Sequence, residues 1–349
     1  MPSKLLRNIH NATLVAFSSS LCLLAQTQYV AIDLGPVSRA SAIAAGQQGG
    51  YTCCGPTVTR HALLWSGSAS TMTDLHPANL APQTESGINA MSPGQQGGFV
   101  GNFAGIWYGT AASYVNIHPA GYTQSVVIGM GDGQIVGVGN VFDPTQPDST
   151  IQHALLWSGA SASAATDLHP GGGWRSSFAY GAAGGKQVGA ILNSSSEHAV
   201  IWSGTARSLV DLHSSKFIST VAYGIYGGKQ VGYGYLQSSG AHGTSLFFNH
   251  ALLWSGSAST MVDLHPAAYS HSFARGLNAS RQVGYGYIGS TYHALAWSGT
   301  AASVIDLHQF VPNGYPESDA FGVDIAGNIV GVAGDSVSDV WHAILWMPL

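Results

Sequence analysis

Five times along this chain the same chemistry-bearing groups recur: a histidine four residues before a tryptophan, an aspartate nine or ten residues after it, and a second histidine two beyond the aspartate. His61, Trp65, Asp74 and His76 are the first complete set. Two imidazoles and a carboxylate are a donor set for a divalent metal. The aspartate can instead accept a hydrogen bond from the first histidine and pin two strands, a bond worth about 1.5 to 3 kcal/mol where sheltered. The irregular copies favour the brace. In one, Phe103 replaces the first histidine and Asn116 the aspartate while His118 stays; in another, His342 can use Asp33, but Gly35 stands in place of the second histidine. Histidine and aspartate change together, and the second histidine is separable. The expected braces are His61 with Asp74, His153 with Asp167, His198 with Asp211, His250 with Asp263, His293 with Asp306 and His342 with Asp33. No metal and no cofactor are expected.

Groups that repeat need elements that repeat. Seven tryptophans, Trp65, Trp107, Trp157, Trp202, Trp254, Trp297 and Trp346, each close a version of the phrase His-Ala-Leu-Leu-Trp, at intervals of 42 to 52 residues. That period belongs to propeller blades. Each copy has four short segments of strand character. A Ser-Phe-Ala type segment (Ser272 to Gly276) comes first, then an alternating one (Lys229 to Tyr235), then His250 to Trp254 and, after a Ser-Gly turn, Thr260 to Leu264. The copies are offset by one strand. Asp33-Leu34 precedes the first phrase, and nothing equivalent follows the last, so Tyr29 to Leu34 is predicted to complete the final blade beside His342 to Trp346. The expected fold is all-β: a seven-bladed propeller of four antiparallel strands per blade, closed by its N-terminal strand.

Residues 1–25 stand apart. Lys4 and Arg7 precede an apolar stretch from Ala12 to Ala25, the order of a secretory signal peptide, leaving 26–349 as the propeller. The run is too short and too serine-rich for a membrane span, so a secreted protein, extracellular or periplasmic, is expected. Only Cys53 and Cys54 then remain, and no set of disulfides staples the blades. Charged residues make up 8% of the chain and the net charge is −5, with no basic cluster to track a phosphate backbone, which argues against nucleic acid as partner.

The His-Ala phrase with its Trp, the Gln-Val-Gly strand and the exported context resemble the HAF-repeat family of bacterial extracellular repeat proteins, over roughly residues 29 to 349. That resemblance implies a β-propeller-like repeat and no particular reaction.

In such a blade the loops between second and third strands share a face with the blade-to-blade connectors. Five connectors carry an aromatic residue, Tyr122, Trp174, Phe217, Tyr269 and Tyr315, with Arg175 and His271 nearby. These seven are the expected ligand-binding residues, although each aromatic could equally wedge between blades. The unrepeated acids, Asp143, Asp148, Glu197, Glu317, Asp319, Asp335 and Asp339, sit in no motif, and no catalytic residue is assigned. The expectation is therefore a monomeric, non-enzymatic binding scaffold for a polysaccharide or an extracellular protein. The alternative is an extracellular hydrolase or lyase whose active site lies in the loops of that face.

Overall fold

Short alternating segments separated by glycine turns pair most readily with their neighbours in sequence, because closing a short loop costs little entropy. The computed structural model describes residues 27–53, 59–143, 145–162, 165–239 and 245–349. In it these segments form seven sheets of four antiparallel strands, six of them built from consecutive segments. The innermost strands, Ser38–Ala44, Ser86–Ser92, Gln124–Gly131, Ser176–Ala183, Ser219–Tyr226, His271–Leu277 and Glu317–Val323, pack side by side around a central axis. The seventh sheet takes its outer strand from the other end of the chain: Tyr29–Pro36 pairs with Val340–Pro348, Ala31 opposite Trp346 and Asp33 opposite Ile344. The protein is a seven-bladed β-propeller, closed as its one-strand offset predicts. The proposed signal peptide, 1–25, lies outside the described residues.

The repeated letters each hold a joint. All seven tryptophans are fully buried, and each such ring removes roughly 200 Å² from water, about 5 kcal/mol of transfer free energy. Trp107 also donates its indole N–H to the Leu75 carbonyl of the preceding blade at 2.9 Å, as Trp157 does to Ile117 and Trp254 to Leu212. Glutamine at the start of the second strand braces the Ser-Gly turn, for Gln230 Oε1 accepts the Gly256 amide at 2.8 Å and Gln48 that of Gly67. The glycine two residues later has no room for a side chain: a Cβ on Gly232 would lie 1.8 Å from the Val221 carbonyl oxygen. It sits against a bulge in the inner strand, between Ala222 and Gly224, where the extra residue pushes the backbone across its neighbour.

The fourth strands are shorter than the sequence suggests. Where Thr260 to Leu264 was expected, only Val262–Asp263 pairs as a strand. A 3-10 turn, Ala258–Thr260, occupies its start, and the Asp263 carboxylate turns the chain after it by accepting the His265 amide.

Candidate functional site at the propeller axis

The histidine and aspartate of each brace come together as the hairpin predicts. Nδ1 of His61, His153, His198, His250, His293 and His342 lies 2.7–2.8 Å from Oδ2 of Asp74, Asp167, Asp211, Asp263, Asp306 and Asp33 respectively. The other carboxylate oxygen accepts the backbone amide of the second histidine, as Asp74 does from His76 at 2.7 Å. The second ring then stacks on the first, with His61 and His76 4.0 Å apart and 9° from parallel. Its Nδ1 reaches the first hydroxyl of the next blade, His76 to Ser86 Oγ at 2.8 Å, and that hydroxyl accepts the Ala62 amide. In blade 2 the Nε2–H of His118 donates to the Tyr122 carbonyl, leaving Nδ1 as the acceptor for the Ser125 hydroxyl. Stacked rings of this kind do not aim their nitrogens at a common point. Among the described residues no three His, Cys, Asp or Glu side chains are grouped to hold a metal ion.

Electrostatics follow from this packing. Burial lowers the pKa of His76, His169, His213, His265 and His308, and the neighbouring first histidine lowers it further against the pull of the aspartate. His265 is pushed down to about 4. Burial tends to raise the Asp167 carboxyl, but hydrogen bonds from His153, the His169 amide and Tyr122 hold it below the usual carboxylate range.

The connector aromatics extend these braces across the blade seams. The hydroxyls of Tyr122, Tyr269 and Tyr315 donate to Asp167, Asp306 and Asp33 of the following blade at 3.1, 3.2 and 3.1 Å. Phe217 is buried with its edge toward His250, and Trp174 lies edge-on to His198 at 5.0 Å. Arg175 pairs with Asp143 at 2.9 Å, and His271 accepts the Asn249 amide. Of the seven, Trp174 and Arg175 line a surface hollow of about 610 Å³ with Phe142, His153, Asp167 and His169. The others are divided among the seams and share no cavity with them.

The chain's most concentrated chemistry lies elsewhere, at the axis. Counting from the buried hydroxyl of each inner strand that accepts a third-strand amide (Ser38, Ser86, Ser125, Ser177, Thr220, Ser272 and Ser318), the next residue and the third after it face the channel. Those positions hold Arg39, Ser41, Asn89, Val126, Ile128, Tyr180, Tyr223, Arg275 and Phe321 along one cavity wall. On the face of the connectors the channel widens between blades 7 and 1 into a funnel of about 570 Å³. Its walls include Arg39, Tyr51, Tyr292, Asp319, Phe321 and Trp341. Arg39 lies over the Phe321 ring at 3.8 Å from its centre and Arg275 approaches the same ring at 5.4 Å. Arg275 also stands over Tyr285 at 4.9 Å and faces Asp319 across 3.5 Å. Asp319 is 7% exposed. Burial pushes its carboxyl up to about 6 in spite of Arg275 and Arg39 beside it. Four buried polar atoms along the axis, Nε of Arg39, Oγ of Ser41, Nε of Arg275 and Oδ1 of Asp319, have no hydrogen-bond partner among the described residues. Glu197, near Tyr180 and Tyr223, is likewise raised by burial.

Sequence inspection singled out Asp319 and Glu197 as unrepeated acids but missed Arg39 and Arg275. The available signal was the inner-strand alignment. The two axis-facing positions vary from blade to blade while the residue between them stays small or aliphatic: Ala40, Ile88, Val127, Ala179, Ala222, Ala274 and Ala320.

No protein-family model and no curated protein matches the chain. Solved structures do. The acylaminoacyl peptidase of Pyrococcus horikoshii aligns with 89% of this chain and 51% of its own at 11% identity, TM-score 0.58. A prolyl endopeptidase structure aligns with 91% and 51% at 9% identity, TM-score 0.56. A puromycin hydrolase aligns with 85% and 50% at 10% identity, TM-score 0.53. The chain thus spans about half the length of these enzymes. At such identities the likeness is one of fold. It still corrects the expectation of a non-enzymatic scaffold: propellers of this form occur within peptidases, and the hydrolase alternative is the better supported of the two. Among the described residues no helix is long and apolar enough to cross a membrane.

Proposed function

We propose that this chain is the propeller of an exported hydrolase that acts on peptide-type substrates, and that its reactive end is the axial funnel. The observation that carries this is Asp319, a carboxyl held in the funnel wall between two guanidiniums with a pKa brought up to about 6. A group that titrates near neutrality exchanges a proton efficiently in both directions. Ionised, Asp319 takes a proton from water as the water oxygen bonds to the carbonyl carbon. Protonated, it returns that proton to the amide nitrogen as the C–N bond breaks. Arg275, beside Asp319, supplies positive charge for the oxyanion formed between these steps, in a site whose burial strengthens the attraction. The peptidase neighbours support peptides as the substrate class, and the charged, serine-rich order of residues 1–25 supports export.

The purified protein is expected to cleave members of a fluorogenic peptide library, with Asp319→Asn lowering kcat/KM at least about a hundredfold, the scale of a lost acid–base group. Absence of cleavage by the unmodified protein, or an Asp319→Asn variant of undiminished rate, overturns the proposal.

A further inference from the structure

We infer that the funnel selects short peptides with a free C-terminal carboxylate, and that Arg39 is the residue that receives it. The substrate class rests on the hydrolase reading; the anion site rests on the geometry alone.

Charge is scarce in this protein. Eleven Lys and Arg serve 349 residues, yet two guanidiniums, Arg39 and Arg275, share the face and edge of one ring at the throat of the funnel. Their circumstances differ. Arg275 is committed through its terminal nitrogen, with Asp319 3.5 Å away and Tyr285 beneath it, although its Nε too has no partner among the described residues. Arg39 is stacked on Phe321, which fixes the plane of its guanidinium without using its N–H groups, and its buried Nε has no acceptor among the described residues. A buried donor without an acceptor is a cost to the fold, so a ligand that supplies one recovers that cost on binding. The planar fork of arginine matches a carboxylate with two parallel hydrogen bonds.

The rest of the funnel sets the orientation. At depth, where the funnel meets the axial cavity, stand Arg39, Asp319 and, from the adjoining cavity wall, Arg275, while the more exposed Arg60 and Asp339 stand nearer the rim with Glu85. The field therefore runs from positive at depth to negative at the mouth, and a zwitterionic peptide aligns with its carboxylate inward and its ammonium group outward. Tyr51, Tyr292 and Trp341 form the walls between, with Tyr292 and Trp341 stacked at 6.0 Å. Aromatic walls suit a bulky or aromatic last side chain. A space of about 570 Å³ is of small-ligand size, which favours short peptides over folded chains.

The test is calorimetric titration of the intact protein with glycyl-tyrosine and with its C-terminal amide. The acid should bind at least about tenfold more tightly than the amide. Arg39→Met should abolish that preference and Arg39→Lys should retain part of it, each variant keeping the thermal midpoint of the parent. Equal affinity for acid and amide, no binding of either, or a preference that survives in a folded Arg39→Met protein overturns the inference. If Arg39→Met fails to fold, Arg39→Lys decides, since a bidentate site predicts at least a threefold loss of preference and an unchanged preference refutes it. The hydrolase reading fails separately. Carboxylate-selective binding without cleavage of any peptide sinks the hydrolase and leaves the anion site standing. Cleavage at equal rates of peptides ending in acid and in amide does the reverse.

Discussion

The rim of blade braces and the axial funnel use the same kinds of side chain to opposite ends. In the braces each aspartate carboxylate is paired with the Nδ1 of its histidine, and one pattern recurs around the ring: Asp to histidine, histidine onto histidine, histidine to the next blade's hydroxyl. At the axis four buried polar atoms lack a partner among the described residues, and the groups that carry them follow no repeat. Repetition marks a joint, because a fold gains from every copy, even though the buried indole N–H groups of Trp65, Trp202 and Trp297 find no acceptor among the described residues. Singularity with unmet hydrogen-bonding capacity marks a place prepared for something else, since an unpaired buried group is a cost the fold alone does not explain.

The largest stability effect that would test this division is expected at the braces. Asp167 accepts from His153, from the His169 amide and from Tyr122 of the neighbouring seam. Asp167→Ala should lower stability by about 2 to 3 kcal/mol, read as a fall in thermal midpoint, while leaving glycyl-tyrosine binding unchanged. Loss of binding with intact stability would mean that the brace belongs to the site.

Acid should act on the two regions with opposite sign. The second histidines have folded pKa values below that of the unfolded chain, so the stability they contribute is present above about 6.5 and is lost as pH falls toward the value of about 4 found at His265. Asp319 is raised from 3.8 to about 6. Its contribution is present below about 3.8 and is lost as pH rises through 6. Relative to the parent, Asp319→Asn should therefore gain stability between pH 4 and 7, by an amount on the order of 2 kcal/mol. Midpoints measured across that range would show parallel curves if the carboxyl were not held apart from its usual range.

The smallest effect should come from repairing the odd blade. Phe103 packs tilted against His118 at 4.4 Å where other blades carry a histidine, and Asn116 holds the His118 amide as an aspartate would. Phe103→His with Asn116→Asp should stabilise by about 1 kcal/mol as a pair, more than the sum of the two single substitutions, in a double-mutant cycle on chemical unfolding. Strict additivity would deny that histidine and aspartate act as a unit.

Most of the frame could be read from the letters because each blade repeats the same solution. Trp65 and its kin mark the third strands, the Asp33 offset marks the closure, and the glycine of Gln-Val-Gly is required by a carbonyl that leaves no room for a Cβ. The connector aromatics were harder. A tyrosine after a His-Pro step looks the same in sequence whether its hydroxyl meets solvent or, as for Tyr269, the next blade's aspartate. The funnel was hardest, because Arg39, Arg275 and Asp319 come from three strands in blades 1, 6 and 7, and only the ring's closure brings blade 7 beside blade 1. Nothing local in the sequence announces that Arg39 and Asp319, 280 positions apart, will face one ring.

The pairing of Tyr29–Pro36 with Val340–Pro348 also sets a timetable. Blades 1 to 6 each assemble from a single stretch of chain and can zip up in turn as it is made. The seventh sheet needs a strand from the first tens of residues and one made some three hundred residues later, so until the last strand arrives the ring stays open with an unpaired edge exposed. Recognition at the axis waits on that event too, since Asp319 and Arg39 flank the seam that closes last. An incompletely made or clipped chain is thus silenced at its funnel before it is visibly unfolded.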